Sequence, residues 1–326
     1  MPDALITGAT GFVGGAVLQR LASEGLDVRA LIRRPDQEAL VRTRGASSVA
    51  LGDVLDPKAL TEAMEACRWV FHIAGVNETC MADPAPMYLA NVDGSVNVVR
   101  AAAIAGIERV IYTSSLAVIG EKDGEVATEQ TVHSGEYVTH YARSKHHAEL
   151  AVFAEAGRLD VDVVAVNPTS VQGPGRTGGT AKILIGYLSG RLPFAVDTVL
   201  SLVSIGDTAE AHLLAAERGV AGERYLISGA TVSVGDAVEL LGRMSGIDRR
   251  VRFLPGWVVG VLATVVGGVM RLFGKHPPVC REMSRVLRRG SRCNGSRAER
   301  ELGLVYTPVE EWLAETIEWY RSEGLI

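Results

Sequence analysis

The sequence predicts an α/β protein: a doubly wound parallel sheet with helices on both faces, and a smaller, mostly helical C-terminal lobe for substrate. Three observations carry this prediction. Short apolar runs alternate with helical patterns through the first two thirds of the 326 residues. Most of the runs are continuously apolar, as strands covered on both faces are, and do not alternate. The first run leads straight into a glycine-rich turn, Thr7-Gly8-Ala9-Thr10-Gly11-Phe12-Val13-Gly14.

Taken in order, strands are expected at Ala4–Thr7, Asp27–Ile32, Ser48–Leu51, Trp69–Ile73, Arg109–Thr113 and Val161–Val166. Helices are expected between them, at Gly14–Glu24, Pro57–Ala66, Met87–Ala105 and His140–Gly157. This rhythm implies parallel strands joined by crossover helices. Ser201–Val203 and Arg224–Ser228 read as short strands returning to the same domain. A nucleotide-binding domain is therefore expected over residues 1–172, with returning segments at about 200–230. The Gly/Pro-rich 173–199 and the helical 231–326 are expected to form the substrate lobe.

The bulk numbers exclude some classes. With 33 basic and 38 acidic residues, the chain has no basic field for nucleic acid. Cys67, Cys80, Cys280 and Cys293 are far apart with no Cys-x-x-Cys pair, and are expected to be reduced thiols with no metal. Ala4-Leu5-Ile6 is too short for a signal-peptide core, so a cytoplasmic protein is expected. Gly256–Met270 carries no charge. It is shorter than the roughly 20 apolar residues a membrane-spanning helix needs. A lobe helix is expected there; the competing reading is peripheral membrane contact over 256–273. Arg281, Arg285, Arg288, Arg289 and Arg292 would then meet anionic lipid.

The glycine turn is built to hold a pyrophosphate. Gly8 permits the tight turn, Gly11 the close approach of phosphate, and Gly14 the packing of helix on sheet. Thr10, Phe12 and Val13 lie on the same loop. The helix that follows offers unpaired N–H groups and its positive dipole end. At the end of the second strand, Ala30-Leu31-Ile32-Arg33-Arg34 has no acid for a ribose 2′-hydroxyl. Arg33 instead matches a 2′-phosphate in charge and geometry, so NADP(H) is favoured over NAD(H). The alternative is that both arginines merely solvate a loop. Asp53, ending the third strand, either accepts from the adenine amino group or serves the turn before Pro57.

A second motif does chemistry. Tyr141 and Lys145 in Tyr141-Ala142-Arg143-Ser144-Lys145 are four apart on a helix and share a face. A phenol titrates near 10 and needs its anion stabilised to exchange protons near neutrality. The Lys145 ammonium supplies that stabilisation. Ser115, closing Thr113-Ser114-Ser115 at the carboxyl end of the fifth strand, can hold a carbonyl oxygen beside Tyr141.

With these motifs the chain resembles the extended short-chain dehydrogenase/reductases of the epimerase/dehydratase type. Its dihydroflavonol-reductase-like branch, which also holds hopanoid-associated sugar epimerases, is the most similar. The likeness also rests on His72-Ile73-Ala74-Gly75, Asn91-Val92-Asp93-Gly94, Asn167-Pro168 and Ser204-Ile205-Gly206-Asp207. It implies a Ser115, Tyr141, Lys145 triad. It places Asp53 and Val54 beside the adenine, and Ala74, Gly75 and Thr113 along the cofactor. Asn91 would support the site, and Pro168 and Thr169 would pass the carboxamide. Dimers through two paired helices, here Met87–Ala105 and His140–Gly157, are usual in the family. Gly206 departs from the usual Val-x-Asp, with Asp207 kept.

The loop Val76–Met87, with Asn77 and Met81, is expected to border a hydrophobic substrate; Gln172 and Tyr187 are further pocket candidates. His72 is expected to be packed or hydrogen-bonded, His140 to point away, and His146 and His147 to lie on the helix surface. The expected activity is interconversion of a ketone or aldehyde and its alcohol. Rival readings are a sugar-nucleotide epimerase holding NAD, a 3β-hydroxysteroid dehydrogenase-like enzyme, and a non-catalytic dinucleotide sensor. Leu116 and Ala117 after Ser115 supply no extra acid, which argues against dehydration.

Overall fold

The computed structural model describes residues 2–256, 258, 260–261 and 280–326. Apart from Gly256, Val258, Gly260 and Val261, the expected lobe helix or membrane contact over 256–273 lies outside the described residues. Among the described residues, no helix is long and apolar enough to cross a membrane.

The strands are β1 (Ala4–Thr7), β2 (Val28–Ile32), β3 (Ser48–Leu51), β4 (Trp69–His72), β5 (Arg109–Thr113) and β6 (Val163–Pro168). They continue with β7 (Ser170–Gln172), β8 (Phe194–Val196), β9 (Val199–Ser204), β10 (Arg224–Ile227), β11 (Ala230–Ser233) and β12 (Arg252–Leu254). The helices are α1 (Phe12–Ser23), α2 (Glu38–Thr43), α3 (Pro57–Met64), α4 (Ala85–Tyr88), α5 (Gly94–Ala105) and α6 (His140–Leu159). After them come α7 (Ala181–Leu188), α8 (Ile205–Arg218), α9 (Val234–Ser245), α10 (Arg281–Arg289) and α11 (Val309–Ser322).

Seven parallel strands form the central sheet in the order β10-β6-β5-β4-β1-β2-β3. The chain runs outward from β1 to β3, then crosses back to place β4 on the other side of β1. Such a reversal opens a crevice at the carboxyl ends of the strands. Here it falls between Thr7 and its register partner His72.

Both sheet faces are covered, which explains the continuous apolar runs. On one face Ile6, Phe71 and Ile111 pack with Val17, Leu18 and Leu21 of α1 and Leu213 of α8. On the other, Leu5, Val70 and Val110 meet Leu60 of α3, Val98 of α5 and Val152 of α6. Full burial of such a side chain contributes about 1.5–3 kcal/mol.

Three expectations change. The helix expected over Met87–Ala105 is broken into α4, a π-turn over Leu89–Asp93, and α5. Single π-turns mark functional places in helices, and this one carries Asn91. Second, β9 does not return to the central sheet; it pairs with β7 and β11 in a small separate sheet. A short apolar run shows that a strand exists but not which sheet it joins. Third, Cys80 and Cys280 are not free thiols. They form a disulfide across 200 residues, with Cα atoms 5.8 Å apart. Distance along the chain says nothing of distance in space, and the loop after β4 meets the start of α10. Cys67 and Cys293 are free and buried; burial pushes the Cys293 thiol up to about 12.

A separate core cluster joins α7, α9 and α11, in which Tyr187, Val238, Leu241, Trp312, Leu313 and Ile317 are buried together.

Candidate active site

The crevice begins at the glycine turn. Gly8 has φ +76°, and a Cβ there would stand 2.6 Å from the Ala74 nitrogen. At Gly14 a Cβ would reach within 2.1 Å of the Gly8 carbonyl oxygen. Both positions therefore demand glycine. Gly11 is the N-cap of α1 and offers no side-chain cap, so the first N–H groups of the helix remain for a ligand. An uncapped helix end over a turn stripped of side chains fits a dinucleotide pyrophosphate. Thr10, Phe12 and Val13 sit half-buried around it. The Thr7 hydroxyl accepts from the Ala74 N–H at 3.2 Å, joining the ends of β1 and β4. Val76 follows, and Gly75 is exposed on this edge.

At the end of β2, Arg33 and Arg34 are both exposed. Arg34 pairs with Asp36 at 3.1 Å. The Arg33 guanidinium has no hydrogen-bond partner among the described residues. Asp53 uses one carboxylate oxygen to accept the Leu55 N–H at 2.9 Å, which is the turn role. Its other oxygen makes no hydrogen bond among the described residues, so the adenine role is not displaced. Val54 packs against Gly94.

The candidate reacting groups lie where β5 ends and α6 begins. Thr139 caps α6 by accepting from the Ala142 N–H at 3.0 Å, which sets Tyr141 in the first turn. Ser115 leaves β5 as the N-cap of a short 3₁₀ turn, its hydroxyl accepting from the Ala117 N–H at 3.2 Å and lying near the Tyr141 phenol. Burial pushes the Tyr141 phenol up; the nearby Ser115 hydroxyl and the Arg176 charge pull it back. Lys145 is buried, and its ammonium donates to the Tyr112 hydroxyl and the Thr113 carbonyl, each at 2.8 Å. Burial draws it down to about 8, against the raising field of Glu149. The structure thus brings together two neighbouring hydroxyls and a cation one helical turn away.

Asn91 is a brace. Its Oδ1 accepts the Val76 N–H at 2.7 Å, and its amide donates to the Val76 carbonyl and the Ser144 hydroxyl. It fastens the loop after β4 to the catalytic helix. Pro168 ends β6, and Thr169 is held by the Ile227 carbonyl through its N–H and hydroxyl.

Several expected residues play other parts. The Thr113 side chain bonds His212 at 2.7 Å; only its carbonyl serves the site. Tyr187 is buried in the cluster of α7, α9 and α11 and donates to the Ile247 carbonyl at 2.8 Å, so it is a core residue, not a pocket residue. Gln172 is buried in β7 with its amide held by Ser170 and Thr180. Asn77 is exposed and Met81 half-buried on the loop. His72 lies buried between Thr7 and Ser95, and burial keeps it neutral, at about 3. The His140 ring meets Tyr88 at 3.3 Å. His146 is half-buried on the helix, where it bonds Tyr137 at 2.8 Å and stacks on His133. Asp207 accepts from the Thr307 N–H and hydroxyl, and a Cβ at Gly206 would meet nothing closer than 3.7 Å, so that departure is harmless.

Other site residues escaped sequence reading. Tyr112 lay hidden in an apolar run. Arg44 donates to the Ala9 and Gly11 carbonyls at 2.7 and 3.0 Å and underpins the glycine turn. Arg176 places its guanidinium 5.6 Å over the Phe12 ring, with no carboxylate partner among the described residues. Glu282 accepts the Cys80 and His140 N–H groups at 3.0 and 2.9 Å. A carboxylate contacting two segments so remote leaves no local signature.

Residues 4–228 match the model of the NAD dependent epimerase/dehydratase family. The chain is similar to sterol demethylase protein B of Methylococcus capsulatus, 31% identical over 99% of both chains. It is also similar to cinnamoyl-CoA reductase 1 of Petunia hybrida, 30% identical over 98% of this chain and 92% of that protein. The crystal structure of gox2253 superposes with TM-score 0.87 at 32% identity, covering all of both chains. Glycine turn, seven-stranded sheet and Ser-Tyr-Lys site thus converge with these likenesses: the chain belongs to the NAD-dependent epimerase/dehydratase family, the extended short-chain dehydrogenase/reductases.

Proposed function

We propose that this NAD(P)-dependent oxidoreductase uses NADP(H) to interconvert a hydrophobic ketone or aldehyde and its alcohol, with Ser115, Tyr141 and Lys145 as the reacting trio. The observation that carries the reading is the nearness of the Ser115 and Tyr141 hydroxyls at the carboxyl edge of the sheet, with Lys145 one turn along α6. When bound, the dinucleotide supplies or takes up the hydride.

The chain's own groups handle the rest. Two hydroxyls lying side by side can both bond one carbonyl oxygen placed between them. On reduction, Tyr141 gives that oxygen its proton and becomes a phenolate. Ser115 donates to the same oxygen and fixes the carbonyl plane. Lys145 and Arg176 are the cations that stabilise the phenolate. In the oxidising direction the phenolate takes the alcohol proton.

The cofactor preference rests on Arg33, exposed and unpartnered where a 2′-phosphate would lie, with no acid to hold a 2′-hydroxyl. Gly8, Gly11 and Gly14 hold the pyrophosphate, and Ala74, Gly75 and Thr169 line the path toward the nicotinamide. Relatives named sterol demethylase protein B and cinnamoyl-CoA reductase 1 support a carbonyl substrate with a hydrophobic part.

The test is oxidation of NADPH and NADH against carbonyl compounds from aryl ketones to steroids. Steady NADPH oxidation is expected, with Arg33→Ser weakening NADPH about tenfold and leaving NADH unchanged. NAD retained through purification, with no net turnover of added coenzyme, would instead mark an epimerase that returns its hydride. Equal use of both coenzymes by wild type and variant would remove the NADP(H) assignment.

A further inference from the structure

Helix α6 carries polar side chains at Tyr141, Lys145 and Glu149, each one turn beyond the last on a single face. The proposed reaction uses the first two. Glu149 is 1% exposed and both its oxygens are engaged. Oε2 accepts from the Asn167 amide at 2.7 Å, and Oε1 pairs with Arg224 at 3.0 Å. The same Asn167 amide nitrogen donates to the Ser115 carbonyl at 3.2 Å. One carboxylate on the catalytic helix therefore reaches β6, β10 and the backbone of Ser115.

We propose that Glu149 is a positioning residue of this active site: it fixes Ser115 through Asn167 and supplies the counter-charge for the Lys145 ammonium. The inference rests on the reading of Ser115, Tyr141 and Lys145 as the reacting trio.

Consider first the positioning. Asn167 is wholly buried, and its Oδ1 has no hydrogen-bond partner among the described residues. Left alone, the amide would gain by turning over. It is held because its nitrogen faces two acceptors, Glu149 and the Ser115 carbonyl, which an oxygen could not satisfy. An amide in place of the carboxylate removes that constraint. Asn167 can then rotate to accept from the introduced amide, and Ser115 loses its donor.

The Lys145 ammonium is held by two neutral oxygens, on Tyr112 and Thr113. The titratable groups facing it are Tyr112 and neutral His72 from the sheet, and Tyr141 and Glu149 from its own helix. Arg224, on β10, faces Glu149. Among these groups Glu149 is the anion. Its removal destabilises the charged lysine twice, by loss of attraction and by leaving Arg224 unpaired. The direction is toward easier deprotonation of Lys145.

Three variants test this: Glu149→Gln, the double variant Glu149→Met/Arg224→Met, and Arg224→Met alone. The double variant replaces a buried ion pair by apolar groups, a change folds tolerate where a single deletion is not tolerated. The readout is the Lys145 titration followed by NMR on lysine-labelled protein. The sequence has five lysines, so the signal is assigned by difference with Lys145→Met. The midpoint is expected to fall by about one pH unit in both variants lacking the carboxylate, and not to fall in Arg224→Met. A merely structural pair would give the same result from either side. An unmoved midpoint in a folded variant without the carboxylate, or an equal fall in Arg224→Met, overturns the proposal. This titration needs no substrate. If it moves as expected while wild type reduces no carbonyl compound with NADPH, the positioning role stands and the proposed reaction is what fails.

Discussion

The floor and the roof of the cleft are built in opposite ways. The floor comprises the glycine turn, the end of β5 and the first turns of α6. Its parts follow the rhythm of strand, turn and helix, and neighbouring parallel strands set them side by side. The roof joins segments remote in sequence. Cys80 and Cys280 bond across 200 residues. Beside them, Glu282 takes the N–H groups of Cys80 and His140, and Arg285 reaches the Val138 carbonyl at 3.3 Å. An acid placed at the first N–H of α6 also suits the positive end of that helix. The sheet fixes the candidate reacting groups, while the α10 contacts fix the loop after β4.

The comparison is broken hardest at the floor. Tyr141→Phe removes the proton and keeps the ring, so turnover should fall roughly 10²–10⁴-fold. NADPH affinity, read by coenzyme fluorescence, should stay within about twofold, since the phenol is not what holds the pyrophosphate. If turnover survives, the reacting trio is misassigned. If coenzyme binding collapses as well, the phenol is structural.

Releasing the roof should do less. Cys80→Ser, or reduction of wild type with a dithiol, frees the loop after β4 without touching Ser115, Tyr141 or Lys145. The KM for a carbonyl substrate is expected to rise several-fold with kcat within about twofold, the pattern of weakened uniform binding. Stability should fall by about 2–4 kcal/mol, the usual range for a disulfide that closes a long loop. Counting thiols under denaturing, non-reducing conditions gives a direct check. Two reactive thiols, Cys67 and Cys293, are expected; four would show that this roof is not covalently closed.

The same contrast explains what the sequence made legible. Gly8, Gly11 and Gly14 follow one strand and open one helix, and Tyr141 and Lys145 share one helix face. Local spacing is enough to read both. Parallel strands covered on two faces announce themselves as continuous apolar runs, so the central sheet was legible as well. Tyr112 was not, because in such a run a buried phenol looks like one more core residue until its oxygen is seen under Lys145. Tyr187 misled for the opposite reason: an aromatic in an apolar helix carries no sign of which side it faces. Cys80, Cys280 and Glu282 were illegible because their meaning depends on contacts between the loop after β4 and α10. β9 was seen as a strand but not as a member of the small sheet, since pairing is a property of two segments.

The finest test of the contrast sits where the floor itself was misread, at Tyr112. Its hydroxyl accepts from Lys145 at 2.8 Å, and the cation lies 4.4 Å from the ring centroid. Tyr112→Phe keeps the ring and removes the acceptor. A lost acceptor disfavours the charged lysine, so its titration moves down from about 8. Above that midpoint the ammonium that stabilises the phenolate is gone; below it the cation is intact. Carbonyl reduction by wild type should therefore decline as pH rises through about 8. In the variant the decline should begin about one to two units lower, a hydrogen bond from a charged donor contributing about 1.5–3 kcal/mol and one pH unit being about 1.4 kcal/mol. A pH–rate profile resolves such a displacement when both proteins are measured in the same buffers. A variant with lower thermal stability and an unmoved alkaline limb would return Tyr112 to the core, where its neighbours in β5 belong.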